Sequence, residues 1–250
     1  MLSAEDKLTE LVNRLKELGR DNLQSVILYG SAGRGESHGK FADLNVLCTL
    51  RSVSVGELSR LAPVVRWWSR DQKEPAPLFF TAEELRQSAD VFAIEFLDMQ
   101  RGHRVLYGSD VIASIAIPMN LHRVQVEHDL RTLLLKLRQH FLHAAENESE
   151  LKSVMAKSIS SAMVLLRHVL IAFGEEPPSA PREVFARISA LTGAEVDPFE
   201  MQLEARDPGK HVDEITRLYD RYLIALAKVT SALDRILPKK EWQRVRKANS

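Results

Sequence analysis

The sequence predicts an α+β protein: a mixed sheet with flanking helices over residues 1–118, an α-helical bundle over 119–237, and a basic tail over 238–250. Two patterns predict it. Up to Pro118, short runs of strand-forming residues alternate with segments of helical periodicity, and beyond it every apolar stripe is helical. Composition agrees: 45% of the 250 residues are apolar, ample for a packed core in one or two domains.

Residues 4–19 form the first expected helix. Leu8, Leu11, Val12, Leu15 and Leu18 recur at helical spacing, Ser3 is placed to cap the start and Gly19 to stop the end. Residues 25–29 (SVILY) read as a strand ending at Gly30-Ser31, followed by a loop punctuated by Gly33, Gly35 and Gly39. Residues 43–50 (DLNVLCTL) read as a second strand, 54–68 as a helix and 77–81 as a third strand. Thr81 and Glu84 make a capping box for a helix over 82–90. Residues 91–97 (VFAIEFL), rich in β-branched and aromatic side chains, are expected to be a fourth strand, with a helix as the competing reading. HRVLYG, 103–108, is a short extended piece. Four helices follow, at 121–145, 150–173, 181–191 and 211–237, broken at 174–181 and 206–210 by proline, glycine and charge. The last carries Val212, Ile215, Leu218, Tyr219, Tyr222, Leu226, Val229, Leu233 and Ile236 on one stripe.

Charge and cysteine content narrow the function. Thirty-four basic and 34 acidic residues balance to zero, which gives no global pull toward nucleic acid or acidic membranes. The single cysteine, Cys48, excludes an intrachain disulfide and a cysteine-based zinc site, and its strand setting makes it a small core hydrophobe. The N-terminus is amphipathic and carries no long apolar run, so a cytoplasmic protein with no membrane contact is expected.

Chemistry concentrates in LYGSAGRGESHGKFADLNVL, residues 28–47. A strand runs into Gly30-Ser31, and Asp43 and Asn45 follow at the start of the next strand. Gly30 lets backbone approach a phosphate closely, the amides beyond it can cradle anionic oxygens, and Ser31 adds a hydroxyl donor. Residues at i and i+2 on a strand share a face, so Asp43 and Asn45 present their oxygens together. The spacing excludes a P-loop, since no Gly-Lys-Ser/Thr follows, and it excludes a dinucleotide fingerprint.

This segment resembles the signature of the DNA polymerase beta superfamily of nucleotidyltransferases: a hydrophobic strand, Gly-Ser, then a strand with two carboxylates one residue apart. The resemblance implies Mg2+-dependent transfer of a nucleotidyl group from a nucleoside triphosphate to an acceptor hydroxyl. It implies Asp43 and Asn45 as metal ligands and catalytic groups, with a third carboxylate between apolar residues on a neighbouring strand. Glu95, in Ile94-Glu95-Phe96, matches that position, and Asp98 replaces it if the register differs. Gly30 and Ser31 would hold the triphosphate, with Arg34 and Lys40 as its cationic contacts. The chain departs from the pattern at Asn45, where the superfamily has a carboxylate. An amide oxygen can ligate Mg2+ but brings no charge, so the alternative function is a catalytically inactive nucleotide-binding or partner-binding scaffold, including an antitoxin-like role. The helical half is similar in order to the helical domains of kanamycin-type and minimal nucleotidyltransferases. That implies closure over an unidentified acceptor and a surface for a homodimer or protein partner.

Other features have plainer readings. His140 and His143 share a helix face without a carboxylate at ligand spacing. Glu127 and Arg131 are an ordinary i,i+4 pair. The tail PKKEWQRVRKANS could meet a phosphate surface, though a solvated terminus is the expectation. Of Trp67 and Trp68, one is expected to pack on the sheet.

Overall fold

Helix α1 (Ala4–Gly19) begins where the sequence places it, because Ser3 and Asp6 cap each other's backbone. The Ser3 hydroxyl accepts from the Asp6 N–H at 3.1 Å, and the Asp6 carboxylate accepts from the Ser3 N–H at 3.2 Å. The computed structural model describes residues 3–33, 43–204 and 214–236. The chain divides into two compact units, Met1–Pro118 and Met119–Ser250.

In the first unit, strands β1 (Leu23–Tyr29), β2 (Asn45–Leu50), β3 (Leu78–Thr81) and β4 (His103–Gly108) form a mixed sheet in the order β3-β2-β1-β4. β1 runs antiparallel to both neighbours, with Tyr29 opposite Asn45 on one side and His103 on the other. β2 and β3 are parallel, Leu47 opposite Leu78. The apolar run of β1 serves both faces, as strand periodicity requires. Val26 and Leu28 pack with α1 and with α2 (Val55–Arg66), while Ile27 joins Leu47, Phe96 and Met99 on the other face. The buried Ser25 and Thr49 hydroxyls satisfy one another across the strands at 2.6 Å. Cys48 is fully buried, and that burial pushes its thiol far above the usual range, so it acts as a packing group.

Past Arg66 the helix continues as a π-helical turn, Trp67–Asp71. Trp68 is buried and its indole N–H donates to the Pro75 carbonyl at 2.9 Å, whereas Trp67 is partly buried beneath the Arg14 guanidinium, 4.1 Å from the ring centroid. The capping box at Thr81 and Glu84 forms as expected and starts the short helix α3 (Ala82–Gln87).

The segment expected to be a fourth strand, 91–97, is instead helical. α4 spans Ala93–Arg101 and ends at Gly102. Its buried residues Ala93, Ile94, Phe96 and Met99 recur at helical spacing, and Phe96 and Met99 pack with Ile27 and Leu47 of the sheet. Burying that stripe outweighs the strand propensity of individual residues. Glu95, on the same helix, is exposed.

The second unit is helical throughout its described residues: α5 (Met119–Ala144), α6 (Glu148–Ala172), α7 (Pro181–Thr192), α8 (Asp197–Glu204) and α9 (Ile215–Asp234). α8 was absent from the sequence expectation. Residues 211–213 and 237 of the last expected helix and the basic tail 238–250 lie outside the described residues. Among those residues α6 alone is long and apolar enough to cross a membrane, but 56% of its most apolar stretch is buried, and it is the central helix of the bundle. The aromatic centre consists of Phe185 stacked on Phe199 at 5.4 Å and Phe199 edge-on to Tyr222 at 5.8 Å.

Tyr219 ties α9 to α5. Its hydroxyl donates to the Leu137 carbonyl at 2.6 Å, and burial pushes its phenol up to about 12. Tyr219→Phe removes that bond while the Leu137 carbonyl, inside α5, keeps its helical partner, and is expected to cost about 0.5–1.5 kcal/mol in urea unfolding. A phenol whose folded-state pKa exceeds its ordinary value of 10 keeps its proton more tightly when folded. Its contribution is complete below pH 10 and lost as pH rises through about 12. Wild-type stability should fall over that window, and Tyr219→Phe should flatten the fall.

Candidate functional site

β1 delivers its last residue, Tyr29, to the edge of a tight turn. Gly30 adopts φ +80°, a left-handed conformation that side chains with a Cβ resist, and Ser31, Ala32 and Gly33 complete the turn. Gly33 packs tightly there: a Cβ on it would lie 2.7 Å from the Gly102 carbonyl oxygen and 3.1 Å from the His103 Cα. The turn is thus built on the start of β4.

Asn45, opposite Tyr29, puts its amide beside the same turn, with Nδ2 3.5 Å from where a Gly30 Cβ would be. Asp43 is exposed and lies just ahead of β2, two residues before Asn45. The strand expected to start at 43 starts at Asn45, and Asp43 and Leu44 form its approach. Arg34 and Lys40, expected to contact a triphosphate, lie outside the described residues.

Next to Gly30 opens a cleft of about 410 Å³. Tyr29, Phe80, Phe92, Phe96 and Met99 give it a mainly apolar wall, and Glu95 and Asp98 add carboxylates from α4. Burial raises the Tyr29 phenol above its ordinary range. Glu95 and Asp98, the two alternatives for the third carboxylate, therefore share one cleft with Gly30. Neither stands on a strand. Among the described residues, no three His, Cys, Asp or Glu side chains could share a metal ion, so Asp43, Glu95 and Asp98 do not converge as a three-acid site.

His103, next to the turn, is engaged at both ring nitrogens: Nδ1 with the Met99 carbonyl at 2.9 Å and Nε2 with Asp110 at 3.0 Å. This holds β4 to α4 and to the loop beyond it. Burial pushes the Asp110 carboxyl up, but bonds from His103 and from the Ala113 and Ile112 N–H groups outweigh it and hold the group below its usual range. The histidines of the second unit belong to no group of three His, Cys, Asp or Glu that could hold a metal ion among the described residues. His122 and His168 instead hydrogen-bond to each other at 2.9 Å inside the bundle.

Sequence reasoning missed the aromatic wall. The signal was present: Phe92, Glu95, Phe96 and Met99 stand at i, i+3, i+4 and i+7, one face of a helix. It also missed Glu74. This carboxylate accepts the Leu44 N–H at 3.0 Å, between Asp43 and Asn45, and pairs with Lys7 at 2.6 Å. Separations of 30 and 67 residues leave no local trace.

The first unit joins a mixed sheet to a glycine turn at the end of β1 and the second is helical in its described residues, an α+β fold. A solved protein with a similar fold is the spectinomycin adenyltransferase AAD(9) from Enterococcus faecialis, crystallised with ATP and spectinomycin. The TM-score is 0.52 at 14% identity, over 91% of this chain and 99% of that one. At that identity the likeness is one of fold. No protein-family model matches the chain, and no curated protein matches it.

Proposed function

We propose that the N-terminal unit binds a nucleoside triphosphate and transfers its nucleotidyl group to the hydroxyl of an acceptor. The observation that carries this reading is the positive-φ Gly30 with Ser31, set between the Asp43–Asn45 segment and an aromatic cleft. The turn suits anionic oxygens, because it presents backbone N–H groups and a hydroxyl with no Cβ in the way. The cleft does not suit phosphate, because Glu95 and Asp98 stand on its wall. It suits the apolar face of a base or an acceptor, with the carboxylates meeting amino groups.

In the transfer, the acceptor oxygen attacks the α-phosphorus, the bond to the bridging oxygen of the β-phosphate breaks, and pyrophosphate leaves. The hydroxyl proton passes to water or a neighbouring carboxylate. A magnesium ion held by Asp43 and Asn45 together with the triphosphate would neutralise charge on the transferring group. The residues fit a magnesium ion that arrives with the triphosphate better than a resident pair of ions. Asp43 offers one charged oxygen donor, Asn45 an amide oxygen, and no three-acid group is present among the described residues. Gly30, Ser31, Asp43, Asn45 and Glu95 are the residues proposed to act, with Arg34 and Lys40 as further triphosphate contacts.

The asparagine at 45 and the lack of a three-acid group favour a second reading, a nucleotide-binding scaffold without turnover. One experiment separates the two. The protein is mixed with each of the four ribonucleoside triphosphates, Mg2+ and hydroxyl acceptors including spectinomycin, and pyrophosphate release and calorimetric binding are recorded together. Acceptor-dependent release supports the enzyme. Binding without release supports the scaffold, and the absence of both rejects the nucleotide site altogether.

A further inference from the structure

The segment that carries Asp43 and Asn45 is held from outside the turn, by a carboxylate bonded to the backbone between them. Glu74 lies in the loop between the π-helical turn and β3. Its Oε2 accepts the Leu44 N–H at 3.0 Å, and its Oε1 accepts from the Lys7 ammonium at 2.6 Å. Lys7 and Glu74 side chains are only 20% and 11% exposed, so both bonds form in a site largely removed from water.

The loop holding Glu74 is itself fixed at several points. The Glu74 N–H donates to the Trp68 carbonyl at 3.2 Å, the Trp68 indole donates to Pro75, and Lys7 also donates to the Gln72 carbonyl at 3.2 Å. Lys73 adopts φ +60°, an unfavourable left-handed conformation for a residue with a side chain, which persists because these bonds over-determine the loop. A rigid carboxylate thus meets the one backbone N–H that lies between the two residues proposed to face the triphosphate. Leu44, buried behind that N–H, anchors the same point from the apolar side.

We propose that Glu74 is a positioning residue for the nucleotide site, with Lys7 as its counterion: it fixes the backbone at Leu44 and so sets the direction of the Asp43 and Asn45 side chains. This rests on the reading of those two residues as part of a triphosphate site. Asp43 precedes the strand and has no ladder partner to orient it, and Asn45 stands at the first pair of the ladder, opposite Tyr29; displacements of about 1 Å in such groups reduce function by orders of magnitude. The Lys7 pairing makes the carboxylate tolerable at low exposure, so the clamp spans three separate parts of the chain: α1, the loop before β3 and the approach to β2.

The test uses the full chain with Glu74→Ala and Glu74→Gln. Glutamine keeps an oxygen acceptor for the Leu44 N–H, and alanine keeps none. Amide exchange over residues 43–50 is measured in the ligand-free protein, and binding of magnesium ATP is measured well below either variant's melting temperature. The expectation is faster exchange at Leu44 in Glu74→Ala, with exchange in α3 and α4 unchanged, and binding weakened by about tenfold or more. Glu74→Gln should restore most of both. A merely structural tie predicts otherwise: a lower melting temperature and faster Leu44 exchange for Glu74→Ala, with ATP affinity as in the wild type. That result would overturn the proposal. If the wild-type protein binds no triphosphate, the reading of the site fails through the binding measurement, while exchange at Leu44 still decides whether the clamp exists.

Discussion

Gly108→Ala is expected to disrupt the sheet of the N-terminal unit. Gly108 ends β4 opposite Ser25 with φ +77°. A Cβ there would sit 1.9 Å from the Gln24 carbonyl oxygen and 2.9 Å from the Ser25 Cα. These are backbone atoms of the central strand β1, so relief requires β4 to separate from β1 and cannot come from a side-chain rotation. The left-handed conformation alone costs about 1–2 kcal/mol for a residue with a Cβ, and enforced overpacking adds about 1–3 kcal/mol. Against a typical domain stability of about 5–15 kcal/mol, a combined loss of about 3 kcal/mol or more is severe. Gly174→Ala is the control. Gly174 has φ +85°, and a Cβ on it would meet nothing within 4 Å, so it should lose only the conformational share. Urea unfolding of both variants checks this. If Gly108→Ala falls within about 1 kcal/mol of Gly174→Ala, the steric argument is wrong.

What the sequence disclosed, and what it withheld, follows from the range of the interactions. α1 was legible because its cap and its stripe lie within one segment: Ser3 with Asp6, then Leu8, Leu11 and Leu15, all buried. The stripe of α9 was legible for the same reason, and Ile215, Leu218, Tyr219, Tyr222, Leu226, Val229 and Leu233 are all buried. Residues 91–97 fit both a strand and a helix template, and the deciding fact was tertiary. Ile27 and Leu47 on the sheet present an apolar face that a helical stripe of Phe96 and Met99 covers. α8 is eight residues long, too short for its periodicity to stand out beside the preceding glycine and proline signals. At the site, the Gly30-Ser31 turn and the missing charge at Asn45 were local and visible. The third carboxylate was sought on a strand, whereas both alternatives stand on a helix face. Glu74 was invisible because its partners are brought to it only by the fold.

Asn45→Asp is expected to make ATP binding at the proposed triphosphate site strongly dependent on Mg2+. The side chain at 45 sits beside Gly30, and Asp43 lies two residues before it. A second carboxylate there places two negative charges by the turn proposed to receive a triphosphate. Without Mg2+, like charges oppose binding, so affinity for ATP should fall by about tenfold. With Mg2+ at millimolar concentration, hard oxygen ligands from both carboxylates and the phosphates share the ion, and affinity should rise by about tenfold over the wild type. The ratio of affinities with and without Mg2+ is therefore the sensitive quantity, growing by about two orders of magnitude in the variant. Asp43→Asn in the Asn45→Asp background should abolish that growth, because the gain requires both charges at one ion. Calorimetric titration of ATP into the three proteins, with Mg2+ and with a chelator, measures it directly. An unchanged ratio in Asn45→Asp would mean that position 45 does not face the phosphates, and the metal reading of Asp43 would fall with it. A raised ratio accompanied by pyrophosphate release, where the wild type shows none, would identify the asparagine as the single change separating the scaffold from the enzyme. The fold then needs no rearrangement to support transfer, only the charge that Asn45 lacks.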